Sequence, residues 1–329
     1  SAPYGYVLNS DPVYFDITED NSTEENAVTI VKVERPNMPQ KGTITVSKSG
    51  EVFSSVTEAD GLYQPVYASA GLAGAVYEIT AAEDIITPDG TLRYSKGEVA
   101  ATIETDSTGT ATTEPLYLGS YEIREIKAPY GMVLNPETKS VQLTYAGQEI
   151  EITETAADFC NERQKAAVSL DKVLEQDERF GIGKSGEVSA VTFGLFATEK
   201  LVAADGSIIP ADGLLEILSV DENGHAVCMT DLPFGSYYLK ELSTDGHYIL
   251  SDEKYPIVFE YAGQDTALVE IKANGGAPIE NKLLYGVIYG LKKDEDGSGL
   301  VGALIGLFHA DCIEFTSETA ILTATSAED

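Results

Sequence analysis

Gly42-Thr43-Ile44-Thr45-Val46-Ser47-Lys48 alternates strictly, with Ile44, Val46 and Lys48 on one face of an extended chain and Thr43, Thr45 and Ser47 on the other. A period of two marks a strand with one buried face, and here that face carries a lysine. Val168-Ser169-Leu170-Asp171-Lys172 repeats the pattern, with Lys172 beside Val168 and Leu170. An asparagine precedes each lysine at a fixed spacing of eleven residues: Asn37 before Lys48, Asn161 before Lys172 and Asn281 before Lys292. A second phrase recurs between them, Gly119-Ser-Tyr-Glu-Ile-Arg-Glu125 and Gly235-Ser-Tyr-Tyr-Leu-Lys-Glu241. Alternation sets Glu125 with Tyr121 and Ile123, and Glu241 with Tyr237 and Leu239, so carboxylates too are placed on apolar faces.

Other phrases return with a period of about 120 residues. Ala2-Pro-Tyr-Gly-Tyr-Val-Leu-Asn9 is restated by Ala128-Pro-Tyr-Gly-Met-Val-Leu-Asn135, Tyr145-Ala-Gly-Gln148 by Tyr261-Ala-Gly-Gln264, and Thr192-Phe-Gly-Leu-Phe196 by Leu304-Ile-Gly-Leu-Phe308. Self-similarity at a fixed period argues a string of like modules. In this register residues 1–41 are the closing part of one module, 42–164 and 165–283 are complete modules, and 284–329 open another. The first part starts after the position of its glutamate and the last stops before it, so neither holds all three groups. Their complementary truncation suggests completion between two chains by strand addition. Turn signals such as Pro88-Asp-Gly90, Ala204-Asp-Gly206, Glu222-Asn-Gly224 and Asp296-Gly297 punctuate short alternating runs, and long helical periodicity is missing. The expected fold is all-β, one β-sandwich per module, with modules arranged as beads along an axis.

Composition narrows the partners. Asp and Glu total 54 against 21 Lys and Arg in 329 residues, a formal charge of −33, which repels nucleic acid and anionic membrane surfaces. No window approaches the length of a membrane span, and Ser1-Ala-Pro-Tyr-Gly5 does not read as an export signal, so the chain as given is expected to be soluble. Cys160, Cys228 and Cys312 fall one per repeat at different points of it, which reads as three buried apolar thiols rather than a disulfide framework.

A lysine, a glutamate and an asparagine on apolar faces once per module are the ingredients of a spontaneous amide bond. Burying an unpaired charge is costly enough that the group tends to neutralise. Desolvation is expected to lower the lysine pKa and raise the glutamate pKa, giving a free amine beside a carboxylic acid. The amine can then attack the side-chain carbonyl of the asparagine, while the acid polarises that carbonyl and passes a proton to the departing ammonia. Exclusion of water protects the reaction. The ordinary alternative is a strand-end lysine, a turn asparagine and a surface glutamate, and it leaves the shared spacing and parity unexplained. Spacing selects Lys292 in the last segment, whereas alternation with Tyr289 and Leu291 selects Lys293.

Val168-Ser-Leu-Asp-Lys172, Phe193-Gly-Leu-Phe196, Leu232-Pro-Phe-Gly-Ser-Tyr-Tyr-Leu-Lys-Glu241 and Ile279-Glu-Asn281, in that order, resemble Cna B-type domains, the SpaA-type modules of Gram-positive surface adhesins and pilins. The resemblance implies a prealbumin-like, inverse immunoglobulin-like sandwich, a self-formed isopeptide bond without cofactor, and a stalk or pilus role at a cell wall. Carried over residue by residue, it gives Lys48, Glu125 and Asn161 in the first complete module and Lys172, Glu241 and Asn281 in the second. Glu34-Arg-Pro-Asn37 departs from the other asparagine phrases, and neither a Leu-Pro-x-Thr-Gly sorting motif nor a pilin motif is present.

The resulting expectation is a non-enzymatic stalk segment whose partners are neighbouring modules of the same parent chain. The rival is an adhesin module that grips a host protein or glycan through exposed loops. For either role the longer insertion from Glu51 to Ala70, with Phe53, Tyr63 and Tyr67, is the candidate for a binding surface or an interdomain contact. Tyr is abundant at 18 but Trp is absent, poor support for a stacking sugar platform. Asp294-Glu-Asp-Gly-Ser-Gly299 begins like a calcium loop but has Ile305 where the glutamate belongs, so it reads as a tight acidic turn and no metal is expected. His225, His247 and His309 stand alone, no Gly-x-Ser-x-Gly motif occurs, and Asn21-Ser-Thr23 reads as a chance sequon.

Overall fold

The computed structural model describes residues 1–17 and 31–328; the sequon at Asn21 lies outside the described residues. From Lys41 onward the chain is mostly extended. The first repeat contains β1 (Lys41–Ala59), β2 (Leu62–Gly71), β3 (Val76–Ala81), β4 (Ile85–Ile86), β5 (Leu92–Tyr94) and β6 (Val99–Glu104). It continues with β7 (Thr110–Thr112), β8 (Leu116–Tyr117), β9 (Gly119–Lys127), β10 (Thr138–Leu143) and β11 (Ile152–Asn161). One sheet is ordered β11-β1-β2, with β7 and β8 also on β1, and the other β10-β9-β3-β6. Along β1, residues alternate between half-buried and buried from Lys41 to Gly50, as the sequence periodicity requires. Ile44 and Val46 from one sheet meet Tyr77, Ile79, Tyr121 and Ile123 from the other in a common core.

The second repeat contains β12 (Lys165–Leu174), β13 (Thr192–Ala197), β14 (Leu201–Val202), β15 (Ile208–Ile209) and β16 (Leu214–Ser219). After these come β17 (His225–Val227), β18 (Gly235–Ser243), β19 (Lys254–Phe259), β20 (Leu268–Lys272) and β21 (Ile279–Asn281). Its sheets are β17-β12-β20, with β21 also on β12, and β16-β13-β18-β19. The last segment carries a two-stranded ribbon of β22 (Leu304–Leu307) and β23 (Leu322–Thr325). The fold is a tandem of β-sandwiches, and in each complete sandwich the first and last strands are parallel neighbours: β1 with β11 and β12 with β21.

Two expectations resolve at this level. The cysteines are not a buried set. Cys160 is exposed because β11 alternates and gives its inward positions to Phe159 and Asn161, while Cys228 and Cys312 are half-buried. The Glu51–Ala70 insertion is an interdomain contact: β1 and β2 run on as a long hairpin, and Phe53, Val56 and Tyr63 pack against the core of the second sandwich. Its backbone is tied there as well, with Ala204 and Asp205 donating to the carbonyls of Phe53 and Ser54, both at 3.0 Å. At its base the Arg163 guanidinium lies 3.7 Å over the Tyr67 ring and pairs with Asp231.

Candidate cross-linking sites

Parallel pairing of β1 with β11 sets Lys48 opposite Phe159, which leaves Asn161, two residues on, on the same inward face and within the reach of a lysine side chain. Glu125 approaches from the other sheet, where β9 pairs it with Tyr77 of β3. The second sandwich repeats the register: Lys172 stands opposite Ile279 with Asn281 two residues beyond, and Glu241 pairs with Phe193. All six side chains are buried, none more than 3% exposed.

In the first site Lys48 Nζ donates to Asn161 Oδ1 and lies 2.9 Å from Glu125 Oε1. Asn161 Nδ2 donates to both oxygens of Glu125, at 3.0 and 2.9 Å. In the second site Lys172 Nζ donates to Asn281 Oδ1 and lies 3.6 Å from Glu241 Oε1, which accepts from Asn281 Nδ2 at 2.7 Å. The carboxylate therefore faces the nitrogen that amide exchange would expel. Polarisation of the asparagine carbonyl by glutamate, expected from the sequence, is not what this geometry provides, because Oδ1 is turned to the lysine.

Burial pushes both lysine amines below the ordinary 10.5, against the pull of the neighbouring glutamate. Rings of Tyr77 and Phe159 wall the first amine, with centroids 5.7 and 5.9 Å from Nζ. A consequence can be measured in a chain carrying Asn161→Ala and Asn281→Ala, where both lysines stay free. Between the lowered folded value and 10.5 the unfolded lysine holds a proton that the native one lacks, so stability gains with rising pH in that window. Relative to a chain that also carries Lys48→Met and Lys172→Met, the stability deficit read from urea midpoints should shrink as pH climbs toward 10.5. A deficit independent of pH would contradict burial of titrating amines.

Sequence reasoning missed the groups that hold the glutamates. Glu125 Oε2 accepts from the backbone N–H of Asn135 at 2.7 Å, and Glu241 Oε2 from that of Ser251 at 2.8 Å, ten residues after the glutamate in both copies. Thr244 adds a hydroxyl 3.0 Å from Asn281 Nδ2 in the second site alone. A backbone donor leaves no residue-type signature, and only the equal spacing in the two copies could have pointed to it. The remaining candidates are not brought together. Asn37 is half-buried and Lys292 and Lys293 are exposed, and among the described residues none of them contacts a carboxylate or a side-chain amide. Asp294 caps its own turn, accepting from the amides of Asp296 and Ser298 at 3.1 and 2.8 Å.

Residues 66–156 match the family model described as SpaA, a prealbumin-like fold domain. No curated protein matches the chain. Among solved structures, the Bacillus anthracis TIE protein aligns with 88% of this chain and 44% of its own at a TM-score of 0.50 and 18% identity, so the chain spans less than half of that protein. The minor pilin GBS52 of Streptococcus agalactiae aligns over 76% of this chain and 100% of its own, with 17% identity and a TM-score of 0.27. A C-terminal fragment of the pilus adhesin SpaC from Lactobacillus rhamnosus GG does so over 76% and 100%, with 13% identity and a TM-score of 0.37; these last two likenesses are too loose to carry weight. The family model describes a prealbumin-like fold over residues 66–156, which agrees with the β-sandwiches of the structure, and the first structural likeness extends the similarity of fold over most of the chain. Among the described residues no helix is long and apolar enough to cross a membrane.

Proposed function

We propose that residues 42–164 and 165–283 are self-cross-linking modules, joined internally by Lys48–Asn161 and Lys172–Asn281 isopeptide bonds, and that the chain is a stalk segment of an adhesin or pilus-like protein on a Gram-positive cell surface. The observation that carries this reading is the buried lysine–glutamate–asparagine contact, built twice from the same strand register. In each module the neutral amine attacks Cγ of the asparagine; the Nζ–Cγ bond forms, the Cγ–Nδ2 bond breaks, and one molecule of ammonia leaves. Glu125 and Glu241, in contact with Nδ2, carry the amine's proton to the departing nitrogen. Each module reacts once on itself, with neither cofactor nor substrate, so the chain is not an enzyme in the turnover sense. Its partners are neighbouring modules of the parent protein. Gripping a host protein or glycan is the weaker reading, because the Glu51–Ala70 hairpin is engaged by the second module.

The test is the intact mass of the reduced chain beside Glu125→Ala, Glu241→Ala and the double variant. The expected deficit is two molecules of ammonia, falling by one with each glutamate removed. An undiminished mass in the parent chain would demote the triads to buried polar clusters and move the search for function to exposed loops.

A further inference from the structure

The Ala-Pro-Tyr-Gly turn and the Tyr-Ala-Gly-Gln loop supply none of the three triad side chains, yet the structure brings them together, twice. Ala2 N–H donates to Gln148 Oε1 at 2.7 Å and Leu8 N–H to Gln148 O at 2.7 Å. One repeat on, Ala128 N–H donates to Gln264 Oε1 at 2.9 Å and Leu134 N–H to Gln264 O at 2.8 Å. The Ala-Pro-Tyr-Gly turn of one module thus sits on the Tyr-Ala-Gly-Gln loop of the next. Tyrosines pair across the joint, Tyr4 with Tyr145 at 4.6 Å between ring centroids and Tyr130 with Tyr261 at 4.9 Å.

A third residue fixes the receiving loop. Gln40 and Gln164, each immediately before the first strand of its sandwich, are both 1% exposed. The Gln164 carboxamide donates to Gly263 O and Thr266 O at 3.1 and 2.6 Å and accepts from Ala262 N–H at 2.8 Å. Gln40 makes the equivalent set with Gly147 O, Ile150 O and Ala146 N–H. A buried carboxamide with its hydrogen-bonding capacity so engaged holds the loop in one shape. The glycine of the turn is required on two counts. Gly5 and Gly131 have φ of 84° and 83°, and a Cβ there would lie 2.5 Å from Pro88 and 2.8 Å from Phe234 of the following module.

The third junction supplies the contrast. Thr244-Asp245-Gly246-His247 occupies the place of Ala-Pro-Tyr-Gly, and Leu284 that of Gln40 and Gln164. Leu284 N–H still donates to His247 O at 2.7 Å, as Gln40 and Gln164 do to Gly5 and Gly131 at 2.8 and 2.9 Å. The second sandwich builds its triad without the phrase, so folding a module does not need it. We infer that Ala-Pro-Tyr-Gly, Tyr-Ala-Gly-Gln and the linker glutamine form a module-docking clasp, whose partner is any following module with that loop and that glutamine. Among the described residues the clasp is built at the first two junctions, and the third lacks both the Ala-Pro-Tyr-Gly phrase and the linker glutamine. This holds whether or not the cross-links form.

Amide hydrogen exchange on the full chain tests the clasp. In Gln40→Leu, the third-junction residue, Ala146 N–H loses its acceptor directly, whereas Leu8 N–H keeps Gln148 O unless the loop shifts. The expected result is exchange at least about tenfold faster at Leu8, with amides of Val46 and Phe159 unchanged. Gly5→Ala, which alters only the docked segment, should accelerate Leu8 likewise, and Gln164→Leu should do so at Leu134. Unchanged exchange at Leu8 in both first-junction variants would overturn the clasp. So would acceleration spread evenly through residues 41–161, which would make Gln40 an ordinary fold residue. Intact mass of the same samples reports the cross-links separately, so the two readings fail independently.

Discussion

Pulled from its two ends, the chain with both glutamates intact will lengthen without a long unfolding step from either sandwich, whereas Glu125→Ala and Glu241→Ala will each introduce one. Tension enters the first sandwich at the start of β1 and leaves beyond Asn161 at the end of β11. With Lys48 bonded to Asn161 the load crosses between adjacent parallel strands through a covalent bond, and everything between those residues is shielded. Without the bond the hydrogen bonds of β1 carry the load and the sandwich opens. The hidden length is 113 residues in the first module and 109 in the second, which at roughly 3.3–3.6 Å per residue releases about 360–410 Å apiece. Single-molecule extension should therefore show none of these steps in the parent chain, one in each single variant and two in the double. Steps of that length in the parent chain, at forces that open the variants, would exclude the proposed bonds.

How much of this was legible without coordinates differs from residue to residue. Parity placed Lys48, Lys172, Glu125 and Glu241 inward because period two is a local property of a strand, and all four are buried as it requires. The fixed spacing of Asn161 before Lys172 reflects the linker between one sandwich's last strand and the next one's first. What brings Asn161 to Lys48 is instead the parallel register of β1 and β11, a pairing across the whole module on which local sequence is silent. The Asn135 and Ser251 amides were invisible because any residue but proline offers the same donor. Outward-facing Cys160 was misjudged by residue type when its position, between inward Phe159 and Asn161, already gave the answer. The Glu51–Ala70 insertion announced itself by length and aromatics, but only the second sandwich shows what those aromatics cover.

Removing one member of a buried triad and replacing the whole triad by apolar side chains should differ sharply in cost, and the difference separates covalent closure from charge burial. Glu241→Ala is expected to lose the proposed bond that closes the 109-residue loop, worth about 4–5 kcal/mol by chain entropy. It also leaves Lys172 buried without its carboxylate, about 3 kcal/mol more. A Lys172→Met, Glu241→Leu, Asn281→Leu chain loses the closure but buries no charge, so it should fall short of the parent by about the closure alone. The predicted order of denaturant midpoints for the second sandwich is parent, then apolar triple, then Glu241→Ala. If the apolar triple matched the parent, no covalent closure would be acting in the folded chain. If instead Glu241→Ala matched the triple, the lysine would be escaping to solvent and its burial beside Glu241 would need another explanation.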